Sequence, residues 1–533
     1  MPSTPRNSLL VFLNNSLFTA LYRATRRHYT IWHWIARHYH PLLSKVARFN
    51  TCSMCDWASY KVPAYAQYLK ATKATINYWD FEPSQYPETN KTDYIKKYSF
   101  ADRCKFGKIP TTMTTIDESS GSTGKPYNWI RTIDELRDVH TISSNYIRME
   151  ILDKKLITLN AFSMGSWATG INMTLGLLPV SIVKSIGPDI DKIIDTLETF
   201  GSTTDSGFSY VICGYPPFIK HLCEEMKKRE FNFGAYRLYA IVGGESMTEA
   251  MRDYLEKYFL KVRSGYGATD IQLGIGGETD FTIWSRKQLI NNSKLRNLIL
   301  GDHENRIPML FHYNPLDHFI EINAKSEVII SINSFKVLSP RLRYNIEDEG
   351  KIFEYKEFVQ LLILAGYSKE EIKEVSKSNP VKMPILLIFG RKDGTISYMG
   401  ANIYPQDVEQ GIYQSQFADK IENFILSLEQ NDKLESKTTI NIELKEGILV
   451  QRYPNVFANL PESQNQTSSL IIEMESDIAN NVRNFMAQVN KDFRESLRED
   501  PAAGQIDIRF YEYNSGIFAN KNAKQIKNKY ILK

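Results

Sequence analysis

One short string offers more chemistry than any other part of this sequence. Residues 118–126 read ESSGSTGKP, so hydroxyl groups, two glycines and one lysine fall within nine positions. Glycine lets the backbone approach a polyphosphate closely, and hydroxyl and N–H groups can then donate to its oxygens. Gly121 and Gly124 lie three residues apart, whereas a Walker A loop needs five. The string therefore predicts a phosphate-binding loop that is not a Walker A loop.

Four more strings follow at intervals along the chain. They are VGGES at 242–246, SGYGATD at 264–270, PRLRYNIEDEG at 340–350 and FGRKDGTISYMGANIYPQD at 389–407. Any one of them could arise by chance, but five in this order and spacing make coincidence improbable. Together they resemble the adenylate-forming superfamily of acyl-CoA synthetases, luciferases and peptide-synthetase adenylation domains. The resemblance covers about residues 60–530 and is strongest to the branch around phenylacetate–CoA ligase and its capsule-associated and coenzyme F390 synthetase relatives.

The resemblance implies a role for most residues in these strings. The β- and γ-phosphates of ATP would be held by Ser119, Ser120, Gly121, Ser122, Thr123, Gly124 and Lys125. Gly244 and Glu245 would border the adenine and acyl pockets, Tyr266 would stack on the adenine, and Gly267 would bind the nucleotide. The remaining contacts would be Thr269 with the α-phosphate, Asp270 with Mg²⁺, Asp348 with both ribose hydroxyls, and Arg391 with ribose or phosphate.

Two positions depart from the family's pattern. Many relatives have Glu in place of Asp270, and Asp is one methylene shorter, so the metal would be held through water or by a shifted backbone. The Thr-Gly that often precedes the ribose-binding aspartate is replaced by residues 345–347, Asn-Ile-Glu. An ordinary explanation also exists, because an Asp–Arg pair is often a surface ion pair that contributes little to stability.

The resemblance further implies a mobile C-terminal domain that rotates between two half-reactions. Asp393 would lie at the hinge, and Gly400 would line the tunnel for the thiol. The late catalytic lysine of the family is best matched by Lys524, although Lys521 and Lys527 compete with it. The alternatives are an ordinary turn glycine at position 400 and a solvated basic tail at the C-terminus.

Residues 156–183 carry no charge. The stretch is long enough to span a bilayer, but its glycines, asparagines and proline instead indicate a loop followed by a buried helix or strand. A charge-free, aromatic loop suits the wall of an apolar ligand pocket. We therefore take Phe162, Trp167 and Tyr215 as candidates for the acyl pocket, with core packing as an equally good explanation.

Apolar strands alternate with amphipathic helices through the centre of the chain, which predicts α/β layering. The predicted strands are 209–214, 237–242, 327–332 and 384–390, and the predicted helices are 189–200, 216–229 and 246–260. Strand-like segments 438–444, 468–474 and 505–511, with a helix over 476–496, predict a small α+β unit. We therefore expect an α/β protein with a helical extension at 1–58, a large layered α/β domain at 59–391 and a small mobile α+β domain at 392–533.

The N-terminal extension is basic and aromatic, and its first acidic residue is Asp56. Residues 17–46 predict an amphipathic helix that Pro41 interrupts. Such a helix could pack on the body of the protein or lie on an anionic membrane surface. We favour packing, so peripheral membrane contact through residues 1–50 is the disfavoured alternative.

Composition sets outer limits on function. The 533 residues include 65 basic and 61 acidic side chains, a balance too even to argue for nucleic-acid binding. The five cysteines form no disulfide framework, which indicates a reducing, cytoplasmic location. The C-x-x-C pair of Cys52 and Cys55 lacks the second pair that a structural zinc site needs.

The predicted activity is that of an AMP-forming acid–thiol ligase. A small carboxylic acid and MgATP would give an acyl-adenylate and pyrophosphate, and the acyl group would pass to a thiol, with coenzyme A favoured. A carrier-protein phosphopantetheine or an amine remains open as the acceptor, as does a non-catalytic relative that binds nucleotide or acyl-adenylate. An aromatic acid follows from the resemblance alone.

Overall fold

The architecture comes from a computed structural model that describes most of the chain. The described residues are 20, 28–77, 80–118, 127–165, 168–301, 304, 306–390, 396–398, 401–430, 436–448, 462–490, 493, 494, 497, 506–519, 531 and 532. The strands are β1 (Thr114–Glu118), β2 (Asn128–Thr132), β3 (Leu156–Asn160), β4 (Ile182–Ser185), β5 (Ser209–Gly214), β6 (Leu238–Gly243), β7 (Lys261–Tyr266), β8 (Gly276–Gly277), β9 (Met309–Tyr313), β10 (His318–Ile322), β11 (Glu327–Ile332), β12 (Tyr344–Phe353), β13 (Ile385–Gly390), β14 (Ile396–Tyr398), β15 (Ala401–Ile403), β16 (Ile421–Gln430), β17 (Ser436–Leu444), β18 (Asp507–Tyr511) and β19 (Ile531–Leu532).

The α-helices follow or separate these strands. They are α1 (Tyr29–Arg37), α2 (Leu42–Lys61), α3 (Pro63–Ala71), α4 (Phe100–Arg103), α5 (Ile133–Glu150), α6 (Ala168–Leu177), α7 (Ile190–Phe200), α8 (Thr203–Ser206), α9 (Pro216–Lys228), α10 (Glu249–Leu255), α11 (Asp280–Asn291), α12 (Ser293–Leu300), α13 (Tyr355–Ala365), α14 (Lys369–Val375), α15 (Pro405–Gln414) and α16 (Glu462–Val489).

A mixed sheet of eleven strands forms the centre of the molecule, in the order β10-β11-β12-β13-β9-β8-β7-β6-β5-β3-β4. Strands β7, β6, β5, β3 and β4 pair in parallel, while the strands from β10 to β9 pair antiparallel. Strand β8 consists of two glycines and pairs antiparallel with both neighbours, so it joins the two halves. Strands β5 and β6 are buried throughout, as expected for parallel strands covered on both faces.

Helix α7 shows how local sequence sets these elements. The Asp189 side chain accepts a hydrogen bond from the Lys192 backbone N–H and so caps the helix start. Ile193, Ile194 and Leu197 recur on one face and are buried. The helix predicted at 189–200 is confirmed, and the strand predicted at 209–214 coincides with β5.

The uncharged stretch 156–183 forms β3, α6 and β4. Helix α6 is less buried than its sequence predicts, because the side chains of Ile171 and Leu175 are exposed. Across the described ranges, no helix combines the length and the hydrophobicity needed to cross a bilayer.

The N-terminal helices pack against distant parts of the chain. Helix α1 ends at Arg37 and α2 begins directly after Pro41, so the predicted interruption is confirmed. Trp32 and Ala36 are buried on α1, and the Ala36 carbonyl accepts a hydrogen bond from the Lys382 backbone N–H at 2.8 Å. This segment of the predicted amphipathic helix therefore packs on the body of the protein.

A second sheet, in the order β18-β17-β16-β19, lies in the C-terminal part with α15 and α16. The strand predicted at 468–474 is wrong, because these residues lie inside α16. This part contacts the rest of the chain through hydrogen bonds from Lys220 Nζ to the Ile421 carbonyl at 2.6 Å and from the Ala250 N–H to Gln410 Oε1 at 3.0 Å.

Candidate functional site

A cavity of about 790 Å³ lies where the parallel half of the large sheet meets β8. Strands β5, β6 and β7 run parallel, so the residues that follow them reach the same edge of the sheet. The carboxyl edge of parallel strands is where α/β proteins commonly bind ligands. The sheet therefore places the VGGES and SGYGATD segments side by side at this cavity.

The structure brings together in this one cavity every predicted site residue that it describes. They are Phe162, Tyr215, Gly244, Glu245, Tyr266, Gly267, Thr269, Asp270 and Asp348. The cavity also reaches Glu118, the first residue of the predicted phosphate loop, and Gly390, directly before Arg391. Glu118 and Gly390 are more than two hundred residues apart in sequence, and only the fold brings both to this cavity.

Tyr266 and Asp348 are in direct polar contact at one wall of the cavity. The Tyr266 hydroxyl donates to Asp348 Oδ2 at 2.7 Å, which links the end of β7 to β12. The ring of Tyr266 stacks on Phe311, with centroids 5.6 Å apart. This packing holds the tyrosine ring in place and orients the carboxylate next to it.

The loop 269–271 is held by two buried arginines. Arg131 donates to the backbone carbonyls of Thr269 and Ile271, the latter at 2.8 Å. Arg341 Nε donates to the Asp270 carbonyl at 3.0 Å. Burial lowers the pKa of Arg341 to about 10, so its guanidinium stays charged at neutral pH. The loop backbone is thereby fixed independently of the Thr269 and Asp270 side chains.

The Asp270 carboxylate has one oxygen fixed by protein. Oδ2 accepts a hydrogen bond from the Tyr344 hydroxyl at 2.8 Å, and Oδ1 lies 3.9 Å from Lys91 Nζ. Burial, together with the Asp270 charge, raises the pKa of Tyr344, which therefore remains a donor. Mg²⁺ in nucleotide sites keeps several waters and uses one or two carboxylates plus substrate phosphates. One carboxylate oriented through one oxygen fits that requirement.

Phe162 and Tyr215 form an aromatic corner of the cavity. Their ring centroids lie 5.1 Å apart at 88°, and both residues are buried. Burial, and then the Glu245 charge, raise the pKa of Tyr215 to about 12. A Cβ added to Gly244 would lie 2.7 Å from Tyr215 Cε1, and Gly244 has φ +82°. Only glycine fits there without strain, so the VGGES turn is shaped around this ring.

Twelve predicted site residues lie outside the described residues. They are Ser119, Ser120, Gly121, Ser122, Thr123, Gly124, Lys125, Trp167, Arg391, Asp393, Gly400 and Lys524. Their roles stay predictions.

Four site residues escape sequence analysis. Lys91 lies between the N-terminal helices and the predicted loop, and no local pattern marks it. Arg131 follows the loop on β2, whereas Arg341 and Tyr344 lie inside the PRLRYNIEDEG string beside Asp348. A search of that string for buried cations and hydroxyl donors would have found Arg341 and Tyr344.

Only one group of metal-type side chains clusters outside the cavity among the residues described. His221, Glu224 and Glu422 bring their ligand atoms within 4.8 Å of one another. Glu224 is already neutralised by Lys445 at 2.8 Å and Lys220 at 3.2 Å. The group therefore acts as an ion-pair cluster between α9 and the second sheet.

Comparison with known proteins supports the fold. Two crystal structures of 2-hydroxyisobutyryl-CoA ligase in the postadenylation state, one in complex with R3-HIB-AMP and one with 2-HIB-AMP, match with a TM-score of 0.62. Each is 13% identical and covers 92% of this chain and 89% of its own. No family model matches the chain, and the search of curated proteins gives no match. The predicted fold class, that of adenylate-forming enzymes, is confirmed.

Proposed function

We propose that the protein activates a carboxylic acid with ATP and transfers the acyl group to a thiol. The observation that carries this proposal is the single cavity, in which a nucleoside-type wall at Tyr266 and Asp348 faces an aromatic corner at Phe162 and Tyr215. Thr269 lines the same cavity. An acyl-adenylate has this same layout, with a nucleoside and an acyl group on either side of one phosphate.

In the first half-reaction, the chain mainly positions its substrates. Tyr266 would stack on adenine, and Asp348, oriented by the tyrosine hydroxyl, would accept hydrogen bonds from the ribose hydroxyls. Residues 119–125 would hold the β- and γ-phosphates. The acid in the aromatic corner would then attack the α-phosphate beside Thr269, with reacting atoms held in near-attack geometry.

Charge stabilisation completes the first step. Asp270 would hold Mg²⁺, which supplies charge neutralisation at the phosphates when bound. Lys91, which lies 3.9 Å from Asp270 Oδ1, adds a cation on the same side of the cavity. Lys524 would neutralise charge on the carboxylate and the α-phosphate.

In the second half-reaction, the part of the chain after residue 391 would turn about Asp393 and bring Gly400 to the thiol tunnel. Coenzyme A is the favoured thiol, because the matching structures are of a CoA ligase. A carrier-protein phosphopantetheine or an amine is the alternative acceptor.

A relative that binds nucleotide without turnover is the second candidate function. We also propose the phenylacetate–CoA ligase-like branch and, because the five cysteines are buried thiols that form no disulfide, a cytoplasmic location.

The test is carboxylate-dependent ATP–pyrophosphate exchange over aryl, fatty, hydroxy and amino acids. Exchange should occur with one class of acid and fall at least a hundredfold in Asp348→Ala, since two hydrogen bonds to a charged group are lost at about 1.5–3 kcal/mol each. Asp134→Ala is the matched control, because Asp134 is exposed and, among the described residues, its ion pair is with Arg137 at the surface. Nucleotide binding without exchange for any acid would contradict the proposal and favour the non-catalytic relative.

A further inference from the structure

The cavity does not end at the aromatic corner. It continues past Tyr146 to a wall formed by Trp32, Met149, Val381 and Met383. We call these four wall residues the distal arm. The four wall residues belong to one hydrophobic cluster, in which Tyr146 also packs, so the arm is apolar.

Helix α1 is fixed firmly enough to act as a wall. The Tyr29 hydroxyl donates to the Arg148 carbonyl at 3.2 Å, which ties α1 to the last turn of α5. The Lys382 N–H donates to the Ala36 carbonyl at 2.8 Å, which ties α1 to the segment that carries Val381 and Met383. Trp32 lies between these two attachments and is 6% exposed.

The passage into the arm depends on a glycine. A Cβ at Gly277 would lie 2.4 Å from the Tyr146 ring, so the ring can lie against β8 only because that position has no side chain. The Tyr146 hydroxyl donates to the Glu278 carbonyl at 2.7 Å, which fixes the ring there. Tyr146 therefore stands between the reaction centre and the distal arm at a fixed position.

We propose that the distal arm receives the far end of the acyl substrate and that Trp32 sets how long that substrate can be. The substrate class is then a carboxylic acid with an apolar chain or ring system that extends beyond the aromatic corner. This inference rests on the proposed function and adds to it a role for the N-terminal helix in specificity. The cavity volume of about 790 Å³ lies towards the upper end of the range for small-molecule sites, which fits a bulky adenylate.

The experiment compares Trp32→Ala with Trp34→Ala, a matched control on the same helix whose side chain is 61% exposed. Exchange is measured with straight-chain and ω-phenyl acids of increasing length. Because one methylene in an apolar pocket changes kcat/KM by about 10–200-fold, Trp32→Ala should raise the long-to-short ratio of kcat/KM at least tenfold. Trp34→Ala should leave the ratio within about twofold of the wild type, on the same reasoning.

A second measurement separates this inference from the proposed function. Short- and long-chain acyl-sulfamoyl adenosines are titrated into the wild type and Trp32→Phe, a variant that keeps an aromatic ring and so preserves most of the packing. A larger gain in affinity for the long-chain analogue supports the arm even if no acid gives exchange, in which case only the proposed function fails. Equal changes for both lengths, in exchange or in binding, would overturn the inference.

Discussion

Asp407, in the first turn of α15, provides a test of how burial changes the pH dependence of the unfolding free energy. Its side chain is 2% exposed, and Oδ2 has no hydrogen-bond partner among the described residues. Burial, and then the Glu304 charge, raise the pKa of Asp407 to about 8 against the opposing charges of Arg296 and Arg306. The carboxyl is therefore buried in its neutral form over most of the acidic range.

The sign and size of the effect follow from this shift. The pKa of Asp407 in the folded state lies above the ordinary value of 3.8. The unfolding free energy is therefore highest below about pH 4, where the carboxyl is neutral in both states, and falls as pH rises towards 8, because the unfolded state ionises first. Each pH unit in that window costs about 1.4 kcal/mol. Asp407→Asn keeps the shape without the titration, so its advantage in unfolding free energy should grow by about 3–4 kcal/mol between pH 5 and pH 8.

The assay is urea unfolding of the wild type and Asp407→Asn at pH 5, 6.5 and 8. Asp253→Asn is the control, since Asp253 is 60% exposed and pairs only with Lys287 at the surface. Parallel stability curves for the wild type and Asp407→Asn would refute the reasoning, because they would show that Asp407 ionises in the folded state as it does in water.

Three other substitutions test the site and its support. Arg252→Met should lower the unfolding free energy by about 3–5 kcal/mol in denaturant, because buried Glu278 loses its cationic partner and buried Glu249 keeps only Arg286. Gly244→Ala should cost about 1–3 kcal/mol in thermal unfolding and weaken acid binding, because its φ is positive and its Cβ would displace the ring of Tyr215. Tyr266→Phe should raise KM for ATP about tenfold with kcat nearly unchanged, because it keeps the stacking ring but releases Asp348 from a charged hydrogen bond. An unchanged unfolding free energy for Arg252→Met, an unchanged thermal stability for Gly244→Ala or an unchanged KM for Tyr266→Phe would contradict the contact concerned.

Short-range patterns predict the elements that position the site. β5 and β6 could be read from sequence because their apolar runs are short, buried throughout and bounded by turns. Tyr266 and Asp348 could be assigned to one site because the strings that contain them keep a familiar order, and both line the cavity. Their direct contact at 2.7 Å is a property of the sheet, since β7 and β12 are far apart in sequence.

The failures also have physical causes. Residues 468–474 were predicted as a strand from a short apolar run, but Met474, Ile478 and Val482 continue at four-residue spacing and are all buried. This helical spacing of buried residues determines the structure, because α16 packs one continuous face on the second sheet. Lys91 and Trp32 could not be found from sequence, because each acts through partners far along the chain.

The attachment of the N-terminal helices has a consequence for the order of assembly during synthesis. The Asn50 side chain donates a hydrogen bond to Asn333, which lies 283 residues later in the chain. The Ala36 carbonyl likewise accepts a hydrogen bond from the backbone N–H of Lys382. At roughly 5–20 residues per second, about 15–60 s pass on the ribosome between the emergence of Asn50 and that of its partner. In that interval Trp32 can pack against Met149, but Val381 and Met383 have not yet emerged, so its surface is only partly covered. Substitutions in α1 should therefore lower the yield of folded protein more than they lower its final stability.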